Sequence, residues 1–277
     1  MLDSQPREMV LEAGRVERQY WRDLWRYREL FYFLAWRDIL VRYKQTVVGV
    51  AWAVIRPLLT MLILTVVFGK LAKMESGGVP YPILVMCGML PWQFFSTAMS
   101  ESGQSLVRNS GMVSKVYFPR LIIPASSVIT SLVDFMISAA ILVCIMIYYQ
   151  YVPGWEVIFL PFLVALAFGA AFGIGVWVSA LMVRYRDFRF ILPFVVQFGL
   201  YISPVGFQSG VVPDQYRLLY SVNPMVGVID GFRWAVLGGE HAIYMPGIVM
   251  SVVLVFLMIY SGIWFFRKTE KTFADII

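Results

Sequence analysis

The chain has 277 residues, 60% apolar and 14% charged, with a mean hydropathy of +0.72; an ordinary soluble domain is about half apolar and about one quarter charged, so a water-soluble fold is excluded. The net charge of +6 does not indicate a nucleic-acid binder, because Lys and Arg fall between apolar runs instead of gathering on one polar segment. Cys87 and Cys144 lie inside apolar runs with no metal-ligand spacing and no histidine nearby, which reads as packing and not as a metal or redox site.

From the N-terminus, residues 1–46 mix acids, bases and aromatics without the apolar core and small-residue cleavage site of a secretory signal. Within them Tyr20, Leu24, Tyr27, Phe31 and Leu34 recur at helical spacing, and Trp36, Ile39, Leu40 and Tyr43 continue on a shifted face. One apolar stripe on a basic helix predicts an amphipathic helix lying in the headgroup plane, drawn to anionic lipid.

A hydrocarbon core about 30 Å thick takes about 20 mostly apolar residues in a helix, because every backbone polar group must be bonded within the segment. Six segments qualify, approximately Val47–Leu71, Tyr81–Ser102, Leu121–Tyr149, Val157–Val183, Phe190–Phe207 and Met245–Phe266. The expected fold class is therefore all-α, a polytopic membrane domain over residues 47–277 preceded by a cytoplasmic segment, 1–46.

Orientation follows from the basic residues, which favour cytoplasmic loops. Arg7, Arg15, Arg18, Arg22, Arg26, Arg28, Arg37, Arg42 and Lys44 precede the first span. Arg108, Lys115 and Arg120 follow the second, Arg184, Arg186 and Arg189 the fourth, and Arg267, Lys268 and Lys271 the sixth. The opposite loops carry only Lys70, Lys73, Arg217 and Arg233, so both termini are expected in the cytoplasm.

Val222–Leu237 is the one segment that would upset this count. At about 16 residues it is short for a crossing, and Asp230 and Arg233 at mid-length each cost about 2.5 to 3.5 kcal/mol at a bilayer centre. Asn223 can cap it, Pro224 suits its first turn, Gly238-Gly239 ends it, and Asp230 and Arg233 can pair one turn apart. The pattern predicts short re-entrant outer helices between the fifth and sixth spans.

Charges within spans are few. Arg56, beside Pro57 near the start of the first span, either snorkels to the interface or lines a path for cargo. Asp134, deep in the third span, either hydrogen-bonds a neighbouring helix or lies on that path; Glu101, near the end of the second, reaches water or a basic loop. His241 is the single histidine, a solvated loop residue on this reading. A proton-coupled carrier would need more ionisable groups at depth. No catalytic or metal-binding set is recognisable, and no Gly-rich phosphate loop ending in Gly-Lys-Ser/Thr occurs. If ATP drives the protein, ATP and Mg are held by another polypeptide, and this chain binds no cofactor.

Gln104–Phe118 fits a docking surface for such a partner, with Leu106, Met112, Val113 and Val116 as apolar contacts and Arg108 and Lys115 at the rim; it also fits an ordinary basic connector. Trp92, Phe94, Phe95, Trp155 and Trp264 sit near span ends as interface belts. Phe198 and Tyr201, in the fifth span, offer flat faces on which sugar rings can stack.

Several blocks in fixed order make the chain recognisable: Arg37-Asp38-Ile39-Leu40-Val41-Arg42-Tyr43-Lys44-Gln45-Thr46 with Gly49 and Trp52, Gly88-Met89-Leu90-Pro91-Trp92, and Lys115-Val116-Tyr117-Phe118-Pro119-Arg120. Later come Val183-Arg184-Tyr185-Arg186-Asp187, Ser203-Pro204-Val205, Asn223-Pro224-Met225 and Gly231-Phe232-Arg233-Trp234. Over nearly its whole length the chain resembles the type-2 ABC transporter permeases that export O-antigen (for lipopolysaccharide biosynthesis), capsule or teichoic acid, of the Wzm, KpsM and TarG kind. Met182 departs from the asparagine this resemblance leads one to expect there.

The resemblance implies a homodimer in the bacterial inner membrane with a channel between protomers, two copies of a separate nucleotide-binding ATPase, and a polyprenyl-linked glycan as cargo. It implies that Tyr20–Thr46 and Gln104–Phe118 contact the ATPase, hence Arg37, Arg42, Lys44, Arg108, Met112, Val113, Lys115 and Val116, and that an outer gate lies within Pro213–Gly239, hence Asn223, Pro224, Asp230 and Arg233. Arg56, Asp134, Phe198 and Tyr201 are the candidate path residues. The same architecture also suits teichoic acid, a simple lipid or a drug. A membrane enzyme acting on lipid-linked sugars, with Asp214, Asp230, Glu240 and His241 as its set, lacks the spacing a two-carboxylate mechanism demands.

Overall fold

A computed structural model describes residues 17–44, 47–238 and 243–273. Arg7, Arg15, Gln45, Thr46, Gly239, Glu240 and His241 lie outside the described residues. The described residues form helices and connecting turns, with no strand among them.

The N-terminal segment folds as two helices, α1 (Glu17–Arg26) and α2 (Arg28–Lys44), broken at Tyr27, and the break lies ahead of the predicted shift of apolar face. Their stripe is not left in the headgroup plane alone. Leu34 is 1% exposed, and Tyr20, Leu24, Tyr27 and Phe31 pack against the same cluster, which includes Leu106, Val113, Phe118, Ile122, Phe266 and Phe273.

The membrane bundle follows as α3 (Val47–Leu64, extended by a π-helical turn Thr65–Leu71), α4 (Tyr81–Arg108), the single turn α5 (Ser110–Val113) and α6 (Ile122–Tyr148). After these come α7 (Leu160–Arg184), α8 (Phe188–Ile202), α9 (Asp214–Tyr220), α10 (Pro224–Leu237) and α11 (Met245–Thr269). Five stretches, 51–71, 81–108, 122–148, 155–184 and 245–272, are long and apolar enough to cross a bilayer. The protein is a multi-pass membrane protein.

Burial divides these five sharply. In α4, 83% of the apolar window is buried, against 11% in the first stretch and 17% in the last. Helix α4 is thus the axis, with α6, α7 and α10 packed around it, and α3 stands at the edge with Trp52, Leu59, Leu62 and Ile63 exposed. Lipid tails are as apolar as leucine, so burial of small residues, and not hydrophobicity, marks helix contacts here. Gly169 and Gly173 on α7 bring it against α11: a Cβ on Gly173 would lie 2.7 Å from the Ile259 backbone nitrogen. That Gly-x-x-x-Gly spacing is visible in the sequence, but nothing in the sequence names the helix it faces.

The fifth apolar segment departs from expectation. Phe190–Phe207 reads as one crossing, yet α8 ends at Ile202 after 15 residues, about 22 Å at about 1.5 Å per residue and short of a hydrocarbon core about 30 Å thick. Pro204 is the cause. A residue before proline is pushed out of the helical region, and Ser203 has φ −81° and ψ 149°. The chain from Ser203 to Phe207 is irregular yet deeply packed, with Ser203 at 0% and Val205 at 1% exposure.

Candidate functional site

Two polar assemblies hold the ends of the bundle. At the end away from the basic loops, the irregular segment after α8 exposes carbonyls that no helix satisfies, and lipid offers them nothing. Side chains from other elements supply the missing donors. Tyr220 donates to Ile202 O at 2.8 Å and Tyr81 to Gly206 O at 2.8 Å, while Asn223 Nδ2 donates to the Ser203 hydroxyl at 2.9 Å.

Arg233 does the rest. It is 2% exposed and donates to Phe207 O at 2.6 Å, Val205 O at 2.8 Å and Leu84 O at 3.4 Å. A guanidinium suits this role because it carries five donors in a planar fork. Gly88 makes room, since a Cβ there would lie 2.7 Å from both Arg233 Nη2 and Val205 O.

The expected pairing of Asp230 with Arg233 is replaced by this arrangement. The two form no ion pair among the described residues; Asp230 takes a hydrogen bond from Ser209, because three carbonyls claim the guanidinium. Helix α10 itself begins with Asn223 Oδ1 accepting from the Met225 N–H at 3.0 Å and Pro224 in its first turn, and ends at Gly238 with φ 74°, a left-handed cap that glycine takes without strain.

At the basic end the pattern is ionic. Arg42 on α2 donates to Asp134 on α6 at 2.6 Å and to Glu101 on α4 at 2.9 Å. Tyr43 donates a short hydrogen bond to the other Asp134 oxygen, and Arg108 donates one to the other Glu101 oxygen. Arg37 reaches Asn109 Oδ1 at 3.0 Å. Burial, then the bond to Asp134, raises the Tyr43 pKa above its ordinary value.

A second contact closes the same end. Tyr20 on α1 donates to Glu270 just beyond α11 at 3.1 Å, the Arg267 guanidinium lies 3.5 Å from the Tyr20 ring centroid, and Arg120 donates to the Glu270 carbonyl. Burial raises the Glu270 carboxyl above its ordinary value, opposed by Arg267 and the Tyr20 hydroxyl. Tyr20 is raised in turn, by burial first and then by Glu270.

Of the residues singled out by sequence, Asp134 is engaged by Arg42 and Tyr43. Arg56 is exposed on α3, and Phe198 and Tyr201 stand on the open face of α8 at 52% and 66% exposure. In the loop after α4, Val113 turns inward at 2% exposure while Lys115 and Val116 face outward. Glu101 meets Arg108, one of the basic residues after the second span, in line with the sequence reading, and Arg42 besides. The roles of Tyr43, Tyr20 and Glu270 went unrecognised in the sequence: Tyr20 and Glu270 are 250 positions apart, and no local pattern joins them.

A packed helical axis, an unwound segment satisfied at depth and a charged clasp at the basic end define a multi-pass membrane protein whose terminal segments are fastened to its spans. Residues 29–237 match the model of the ABC-2 type transporter family, and the chain belongs to it. It is 25% identical over 248 residues to an O-antigen export system permease protein RfbA of Klebsiella pneumoniae, covering 87% of this chain and 92% of that one. The RfbA of Myxococcus xanthus is 24% identical over 259 residues, 92% and 98% of the two chains. The polysialic acid transport protein KpsM of Escherichia coli is 23% identical over 251 residues, 85% and 91%.

Proposed function

We propose that the chain is the permease subunit of an ATP-driven exporter that moves a lipid-linked polysaccharide, of the O-antigen or capsule class, across the bacterial inner membrane. The observation that carries this reading is likeness along 87% and 92% of the chain to permeases named for O-antigen export.

Two copies enclose the path. The interior along α4 is filled with side chains, 83% of its apolar window being buried, so a polymer has to pass at the periphery, between protomers. The exposed apolar faces of α3 and α8, with Trp52, Leu62, Phe194, Phe198 and Tyr201, are the surfaces left for a second copy and for sugar stacking. Arg56 lies on the same α3 face, at the cytoplasmic mouth.

Both termini are cytoplasmic, which puts all six apolar segments in the membrane with α8 and its irregular continuation together making the fifth. A separate ATPase, two copies with ATP and Mg, docks on the basic end. Lys44, Arg108, Lys115 and Val116 face it with the partly exposed Arg37, while Arg42, Met112 and Val113 hold the docking elements to the spans. At the far end α9 and α10, with Asn223, Pro224, Asp230 and Arg233, form the gate.

Affinity purification of the full chain tests the partner: an ABC ATPase is expected in stoichiometric amount. Deleting the gene is expected to strip surface polysaccharide while lipid-linked glycan accumulates inside, and intact surface polysaccharide overturns the cargo assignment.

A further inference from the structure

At the basic end a cavity of about 300 Å³ opens between the last turn of α4, the last turn of α7 and the start of α8, lined by Gln104, Val107, Arg108, Met182, Arg186 and Arg189. Half of its wall residues are arginines from two separate stretches of chain, and none is a carboxylate. Two acids are tied to this wall: Glu101, already shared by Arg42 and Arg108, and Asp187, which lies between Arg186 and Arg189 in the chain. The side chains of Arg186 and Arg189 make no hydrogen bond, ion pair or ring contact among the described residues, although the Arg189 N–H donates to the Arg186 carbonyl at 3.3 Å. Their neighbour Arg184 behaves differently: it is outside the wall and lies 5.5 Å from the Tyr185 ring centroid.

Beside Arg108, which is paired with Glu101, the guanidiniums of Arg186 and Arg189 have no ion-pair partner among the described residues, and the group that relieves their repulsion is an anion with several oxygens in tetrahedral array, which the planar fork of arginine grips in pairs. Gln104 adds an amide, since its carbonyl oxygen already accepts from Arg108 at 3.0 Å and its NH2 remains to donate. Val107 and Met182 give the cavity an apolar side, as a ligand with a lipid stem requires. A volume of about 300 Å³ is at the small end for ligand sites, enough for a head of one or two phosphates and too small for a sugar polymer.

We propose that this cavity binds lipid-borne phosphate, specifically the diphosphate by which a polyprenyl carrier holds its glycan, at the headgroup level of the cytoplasmic leaflet. The choice of lipid rests on the exporter reading above; the phosphate chemistry does not. Cargo is then grasped by its invariant head, whatever sugars follow.

The test is equilibrium binding to the full chain with its co-purifying ATPase in phosphatidylcholine nanodiscs. The probes are geranylgeranyl diphosphate, geranylgeranyl monophosphate and phosphatidylglycerol. R186Q/R189Q is expected to weaken the diphosphate at least about tenfold, the loss of about one charged hydrogen bond, while R184Q leaves it unchanged. Equal weakening by R184Q, or no weakening by the double variant, overturns the site. A loss confined to phosphatidylglycerol overturns the diphosphate assignment. The assay needs neither glycan nor hydrolysis, so its failure is distinct from failure of the exporter reading, which shows in ATPase co-purification and surface glycan.

Discussion

The two ends of the bundle solve the same problem, fastening polar chain to apolar helices, by opposite means. At the far end one buried cation faces neutral carbonyls, with Arg233 at 2% exposure. At the basic end cations face carboxylates in half-open surroundings, the Arg42 and Asp134 side chains being 28% and 31% exposed. A buried guanidinium answered only by backbone is intolerant of change, because removal strands several acceptors together. A shared ion network is softer, since Arg42, Asp134 and Glu101 each keep a second partner when one is lost. Rigidity therefore belongs to the far end and adjustability to the basic end.

The largest effect is expected at the rigid end. Arg233→Met removes the donors to Val205, Phe207 and Leu84, and stranding such buried acceptors costs about 3 kcal/mol or more. A large fall in detergent melting temperature is expected, with Arg233→Lys intermediate because one ammonium cannot span the three carbonyls. Gly88→Ala should behave alike by wedging Arg233 from Val205. A melting temperature unchanged in all three would show that the carbonyls find other donors.

Gly173→Val comes next. Its side chain meets the Met258–Ile259 backbone, which cannot swing aside, so α7 and α11 must separate at a cost of about 1–3 kcal/mol. Accelerated proteolysis near α11 would report it.

At the softer end Arg42→Gln is expected to cost about 1 kcal/mol, as for partly exposed pairs, while hydrogen exchange in α2 rises. ATP hydrolysis by the partner should continue with reduced export, since α2 is fastened through Arg42 to both α4 and α6. A double-mutant cycle with Asp134→Asn should give well under additive losses; full additivity would mean that the two do not act together.

The smallest effect is a pH response of the Tyr20–Glu270 contact. Burial raises the folded-state pKa of Glu270, so folding favours its protonated form. The stability it contributes is present at acid pH and lost as pH rises through that raised value, above the ordinary carboxylate range. Protection factors of the α1 amides, corrected for the base-catalysed intrinsic rate, should fall slightly on going from acid to neutral pH, and Glu270→Gln should flatten the trend.

The span ranges were legible because crossing a membrane in helical form leaves a composition that survives without any neighbour, as in Ile122–Tyr148 and Met245–Thr269. The early end of α8 was missed although Ser203-Pro204 was in view, because an apolar run masks a break whose polar groups are answered elsewhere. The site was less legible. Asp134 stood out as a charge at depth, but Arg42 and Tyr43 come from a helix 92 and 91 residues earlier. Arg186 and Arg189 read only as markers of sidedness, since a cavity wall assembled from three helix ends leaves no local spacing.

By itself the sequence determined that this chain lives in a membrane, where its helices run, and which family it belongs to, since those follow from hydropathy, basic loops and short blocks within one helix or turn. Tertiary structure alone decided that α4 is the axis, that Arg233 serves carbonyls and not Asp230, and that the N-terminal helices are bolted to spans 2 and 3. The reason is reach: hydropathy is a property of each residue in its solvent, whereas a hydrogen-bond partner is chosen by whichever distant group the packed bundle sets within about 3 Å.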